Sequence, residues 1–303
     1  MINVCIHGHF YQPPREDPIS NYIPDETGAE PYRNWNERIL AECYKPNANA
    51  GNFRKISFNI GPTLFNWMFE FAPTTANLIV AQERENYLKF GVGNGMAQGY
   101  NHSILPLATL QDKTTQVHWG VEDFEFRFGH KPEGLWLPET AVDLETLCVL
   151  SDEGLKFTIL APWQIAAKPG ESGPYLIALP GGRAPMVVFT YNQDLSTQVS
   201  FVPSATVNGD EFLSNLVRAH AGKGDTLNLI ASDGELYGHH QPLRNYFLRY
   251  LLNEGGELHE VAWNYPARWL KEHPVTSEAI LQERTSWSCP HGVSRWAESC
   301  DCT

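Results

Sequence analysis

Short apolar runs of four to six residues, bounded by Gly, Pro or polar residues, alternate along this chain with longer segments whose apolar positions recur every three to four residues. The short runs are too brief for helices and read as buried strands, whereas the longer segments read as amphipathic helices. Strands are predicted at Ile2–His7, Ile56–Ile60, Gly134–Leu137, Phe157–Ala161, Tyr175–Leu179, Met186–Thr190 and Thr226–Ala231. Helices are predicted over Leu107–Phe128 (Val117, Val121, Phe124 and Phe128 on one face), from Asp143 to about Glu153, and over Asp210–Ala221 (Phe212, Leu213, Leu216, Val217). A last helix starts at about Pro242 with Leu243, Phe247, Tyr250 and Leu251 on one side, Pro being tolerated in a first turn.

About seven strands joined by helical crossovers predict an α/β fold, a distorted parallel barrel. A doubly wound open sheet is the alternative, weakened because no Gly-rich phosphate loop follows the first strand. The runs at Tyr175 and Met186 are separated by Gly- and Pro-rich loops, so hairpin-like insertions are expected there. No repeat, low-complexity tract or linker appears, which predicts a single domain over 1–303 with a Cys/His-containing tail from about 285.

Composition narrows the partners. The 303 residues are 42% hydrophobic and 12% aromatic, enough for a large core. A net charge of -13 disfavours nucleic acid and anionic membranes and leaves a neutral substrate such as an oligo- or polysaccharide. The N-terminus lacks the basic region and apolar core of a signal peptide, and no apolar run approaches about 20 residues, so a soluble cytoplasmic protein is expected. Cys5, Cys43 and Cys148 lie in apolar or helical surroundings as ordinary buried thiols.

Two acids stand where a barrel strand would deliver a side chain into a shared mouth: Glu139 in EGLWLPET and Asp233 in NLIASDGELYGHH. Glycosidic cleavage needs one carboxylate to attack or stabilise the anomeric carbon and one carboxylic acid to protonate the leaving oxygen. Glu139 could equally be a structural acid, and Asp233 a turn residue, since Asp-Gly favours turns. Glu235 rivals Asp233, because in an extended segment residues two apart point the same way.

Four segments, HGHFYQPP at the N-terminus, YNHSILPL at 100–107, GLWLPE at 134–139 and ASDGELYGHHQP at 231–242, resemble in order the motifs of glycoside hydrolase family 57, especially its amylase/mannosidase-like branch. The resemblance covers nearly the whole chain. It implies a retaining enzyme on an incomplete (β/α)7 barrel that needs no cofactor, with Glu139 as nucleophile and Asp233 as general acid/base, acting on α-linked glucans or related oligosaccharides by hydrolysis or transglycosylation. The family's barrel is followed by a helical region with a further motif, and this chain stops where that region would grow.

The remaining candidates surround the pair. His7 and His9 alternate across Gly8, which on a strand end places both rings on one face of the mouth, to bind sugar hydroxyls, tune Glu139, ligate a metal or pack as core histidines. His102, His239 and His240 add imidazoles in motif positions, and Glu235 joins the substrate-binding candidates. Trp136, Trp163, Trp35 and Tyr237 are candidate stacking platforms for sugar rings, with Trp136 favoured by its place beside Glu139. In the tail, Cys289, His291, Cys300 and Cys302 offer four ligands to a structural metal, although the spacing is not the usual paired C-x2-C. The simpler alternative is a reduced tail packing over the mouth through Trp287 and Trp296, presenting Arg295 or His291. Two other functions compete: a metal-dependent, deacetylase-like carbohydrate hydrolase, and a sugar-binding barrel without chemistry.

Overall fold

The computed structural model describes residues 1–167, 173–220, 226–298 and 300–302; the predicted helix end at Ala221 lies outside them. Seven strands run parallel around a distorted barrel: β1 (Ile2–Phe10), β2 (Ser57–Ile60), β3 (Ala97–Gln98), β4 (Leu135–Trp136), β5 (Phe157–Leu160), β6 (Met186–Thr190) and β7 (Leu227–Asp233). β1 pairs with β2 and with β7, and its His9 is in register with both Asn59 and Asp233. β3 pairs with β4 and β5 with β6, while isolated parallel bridges, Phe58 to Gly95 and Gly134 to Phe157, join β2 to β3 and β4 to β5. Between β6 and β7 the Asn192 N–H donates to the Leu229 carbonyl at 2.7 Å. The distortion is concentrated where the strands shorten to two residues.

Strand alternation divides the apolar residues into two cores. Cys5, Phe157, Ile159, Phe189, Leu227, Leu229 and Ala231 form one cluster with Trp136. Val4, Ile6, Phe10, Leu160, Val188 and Ile230 belong to the other, with residues of the surrounding helices such as Val117, Val121 and Leu216. Along the first face the chain turns polar toward the strand ends: Cys5, His7, His9 on β1, and Leu229, Ala231, Asp233 on β7. The register aligns these two series residue by residue, so the apolar barrel floor gives way to a titratable mouth.

The predicted helices appear as Leu110–Phe128, Leu144–Asp152 and Gly209–His220, the first two capped by Thr109 and Asp143 accepting from the amides of Asp112 and Thr146. Gly120 lets the first of these rest on β3: a Cβ there would lie 1.9 Å from the Gln98 carbonyl oxygen. The expectation of a helix after Pro242 corresponds to Arg244–Tyr250. Two helices, Pro62–Phe71 and Pro73–Phe90, escape the periodic reading. The longer one buries Thr75, Gln82, Glu83 and Asn86 beside Ala76 and Ile79, which breaks its apolar stripe. The hairpin insertion is present as Tyr175–Ile177, antiparallel to β6. Among the described residues no helix is long and apolar enough to cross a membrane.

Candidate active site

Glu139 sits in a tight turn three residues beyond β4, with φ of 56° at Glu139 and 48° at Thr140. Two successive non-glycine residues in the left-handed region cost about 1–3 kcal/mol each and persist only when the surroundings over-determine them. Gln164, fully buried, does this from the loop after β5. Its amide donates to the Thr140 carbonyl at 2.8 Å, and its side-chain oxygen accepts from the Thr140 hydroxyl and from the Ala161 amide, both at 2.8 Å. The C-terminal segment closes the other side. The Val142 N–H donates to the Thr285 carbonyl at 3.1 Å and the Trp287 N–H to the Glu139 carbonyl at 3.2 Å. The Trp287 indole donates to Glu139 Oε2 at 3.2 Å. One carboxylate oxygen is thereby held by a neutral donor.

Asp233 ends β7, and its accessible surface opens on the same pocket as Glu139. It is exposed by area but crowded by protein on its other sides, and this crowding governs its chemistry. Enclosure first, and the negative charge of Glu139 second, push its pKa up to about 6. The pocket, ≈ 320 Å³, carries Trp163, Tyr191 and Trp287 on its wall, with Gln193 and Ser196 as polar partners. Such a mixture of aromatic faces and a few polar groups suits a sugar. Trp163 is the predicted platform that lines it. Tyr191 and Gln193 were not singled out from sequence, although Tyr191 directly follows β6 and obeys the same strand-end rule that selects the acids.

The histidines form a different structure. One assignment of hydrogens satisfies the whole chain: the Ser57 hydroxyl donates to His7 Nδ1 (2.9 Å) and His7 Nε2 to Asn59 Oδ1 (3.2 Å). The Asn59 amide then donates to His9 Nδ1 (2.9 Å) and to Gln98 Oε1 (2.5 Å), and His9 Nε2 to His102 Nε2 (3.2 Å). All three imidazoles are neutral. Burial lowers the pKa of His7 to about 3 and that of His102 to about 4, the latter despite the opposing pull of Glu139, and drives His9 well below its ordinary value. Trp136 lies beneath them, fully buried, its ring stacked on His7 at 4.7 Å and on His9 at 5.3 Å. Its faces are occupied by histidines rather than open to a sugar.

Glu235, buried, points away from the pocket and accepts from the Tyr44 hydroxyl at 2.7 Å and the Tyr11 amide at 3.2 Å. Desolvation raises its pKa to about 8, so it is largely protonated at neutral pH. Tyr237 is buried with its hydroxyl accepting from Ser232 at 3.4 Å. His239 is bonded through Nδ1 to Glu42 at 2.6 Å and packs edge-on against Trp35 at 5.8 Å, with His240 beside it; none of these three lines the pocket. A mouth histidine cluster arranged for an ion is not what the geometry offers: among the described residues the sole group of ligand atoms drawn together is Cys289, His291, Cys300 and Cys302, all within 4.8 Å of one another.

Comparison with known proteins places this architecture. No curated protein matches the chain. A 4-α-glucanotransferase from Thermococcus litoralis superposes with a TM-score of 0.72 at 16% identity, over 94% of this chain and 42% of that one. An exo-type maltose-forming amylase from Pyrococcus sp. ST04 gives 0.70 at 16% identity, over 99% and 54%. A branching enzyme from Thermococcus kodakaraensis gives 0.71 at 16% identity, over 97% and 75%. The chain thus spans about half the length of the first two. The sequence profile of glycosyl hydrolase family 57 matches residues 6–273, and the chain belongs to that family.

Proposed function

We propose that this chain is a retaining glycoside hydrolase or transglycosylase acting on α-linked glucans or related oligosaccharides, with Glu139 as nucleophile and Asp233 as general acid/base. The observation that carries the reading is the pairing of two unlike carboxyl groups on one pocket: Glu139 fixed by Trp287, and Asp233 biased toward its protonated form by enclosure and by Glu139 itself. Family membership supports the reaction class, and the likeness to a 4-α-glucanotransferase and a maltose-forming amylase supports the α-glucan substrate.

In the first step the free oxygen of Glu139 attacks the anomeric carbon while Asp233 gives its proton to the glycosidic oxygen. The bond to the leaving sugar breaks and a glycosyl ester forms on Glu139. In the second step Asp233, now ionised, takes a proton from water or a sugar hydroxyl, which attacks the same carbon and frees Glu139. Trp163, Tyr191 and Trp287 offer faces to the pyranose rings. Water as acceptor gives hydrolysis and a sugar hydroxyl gives transfer.

Azide separates the roles of the two acids. Glu139→Ala with an α-linked aryl glucoside and azide should form the β-glycosyl azide, and Asp233→Ala the α-azide, read by NMR. Rescue of neither variant, or the same anomer from both, would overturn the assignment.

A further inference from the structure

The tail holds a feature that the reaction does not use. Cys289 Sγ lies 3.8 Å from Cys300 Sγ and 3.7 Å from His291 Nδ1, and Cys302 Sγ lies 3.2 Å from the same nitrogen. A tetrahedron built on Zn–S of about 2.3 Å and Zn–N of about 2.0 Å has S···S edges of about 3.8 Å and S···N edges of about 3.5 Å. These three distances stand close to those edges, and all four atoms lie within 4.8 Å of one another. We propose that Cys289, His291, Cys300 and Cys302 bind one zinc ion that fastens the C-terminal tail and so fixes Trp287 on Glu139.

Ligand chemistry and local backbone agree. Three thiolates and an imidazole fill all four positions around zinc, leaving none for substrate, so the site is structural. The turn that carries the first two ligands is held by backbone bonds: the Gly292 N–H donates to the Cys289 carbonyl at 3.0 Å and the Val293 N–H to the Arg284 carbonyl at 3.0 Å. Gly292, at φ of 60°, permits the approach, since a Cβ there would stand 2.1 Å from the Arg284 carbonyl oxygen. The four-residue helix Ser294–Ala297 then turns the chain back so that Cys300 and Cys302 reach the first pair. A loop this short has little apolar surface to hold it closed, and Trp296 remains partly exposed. Only Ser288 separates Cys289 from Trp287, and its carbonyl accepts from Arg295 at 3.0 Å. The metal knot is thus tied directly to the residue whose indole and amide grip Glu139.

Protein purified under reducing conditions without added metal should contain one zinc per chain by elemental analysis. Exchange into cobalt(II) should give the intense visible bands of a tetrahedral thiolate site. Cys302→Ser, at an exposed position, and Cys300→Ser should each lose most of the zinc while the far-ultraviolet circular dichroism of the barrel is kept. No stoichiometric zinc in the wild type, before and after incubation with zinc and reductant, or full zinc in a variant carrying both Cys300→Ser and Cys302→Ser, overturns the site. Removal of zinc by a strong chelator should alter tryptophan fluorescence in the wild type and much less in Trp287→Phe. An equal change in both overturns the coupling to Trp287. None of these readings requires turnover, so they stand or fall separately from the glycosidase assignment.

Discussion

The barrel mouth has two sides that treat polar groups in opposite ways. On the β1–β2 side the ring nitrogens of His7 and His9 and the functional groups of Asn59 are engaged with protein, and Glu235 is tied to Tyr44 and Tyr11. On the β4–β7 side Glu139 has, among the described residues, one side-chain donor, Trp287, and Asp233 is bordered by open pocket. Buried polar groups that are satisfied contribute rigidity, whereas groups left free next to a cavity are available to a ligand. The contrast separates Asp233 from Glu235, two residues apart and both with raised pKa, about 6 and about 8. One opens on space and the other on tyrosines.

The sharpest way to break this comparison is to remove an acid from the open side. Glu139→Gln should lower kcat by on the order of a thousandfold or more with unchanged thermal unfolding, measured on maltooligosaccharides. The reading also sets a pH profile. Because the first step needs Asp233 protonated, kcat/KM should fall as pH rises through about 6, and a profile flat from pH 5 to 8 would contradict the assigned acid. Gln164→Ala should lower kcat by roughly 10–100-fold with a smaller change in KM, because it frees the turn that aims Glu139. Its stability cost should be about 1–3 kcal/mol from the buried partners left unpaired.

The saturated side should answer in stability instead. Asn59→Ala, which leaves His7 Nε2 and His9 Nδ1 unpaired, should lower the unfolding free energy by a similar roughly 1–3 kcal/mol, and its loss of activity should track loss of folded protein. Glu235 gives the same side a pH signature. Since the folded state holds its proton more tightly than the unfolded chain, the contribution to stability is present below about pH 4.5 and is lost as pH rises through about 8. Glu235→Gln should flatten that part of the denaturation-versus-pH curve, and an unchanged slope would show that the carboxyl is not buried as described.

Sequence reached this site unevenly, for physical reasons. Glu139 and Asp233 were visible because a strand end followed by an acid is a local signal. β7 was readable as a run of apolar residues, but β3, two residues between glycines, has no alternation to read. His239 and His240 shared a motif with Asp233, yet the turn at Gly238, with φ of 141°, carries them toward Glu42 and Trp35. Gln164 was hidden for another reason, and Trp287, expected to pack over the mouth, was not expected to hold Glu139. Their importance lies in which distant segment they touch, a pairing that no period along the chain records.

That pairing has a temporal side. Glu139 and the indole that holds it are separated by 148 positions, so during synthesis at about 5–20 residues per second the turn waits roughly 7 to 30 s for its partner to be made. Until then Gln164 is present to hold the turn, but the amide and indole that grip the carbonyl and carboxylate of Glu139 are not. The segment that grips Glu139 is made after all seven barrel strands, so the final geometry of this carboxylate is set only once the strands that frame it have been synthesised.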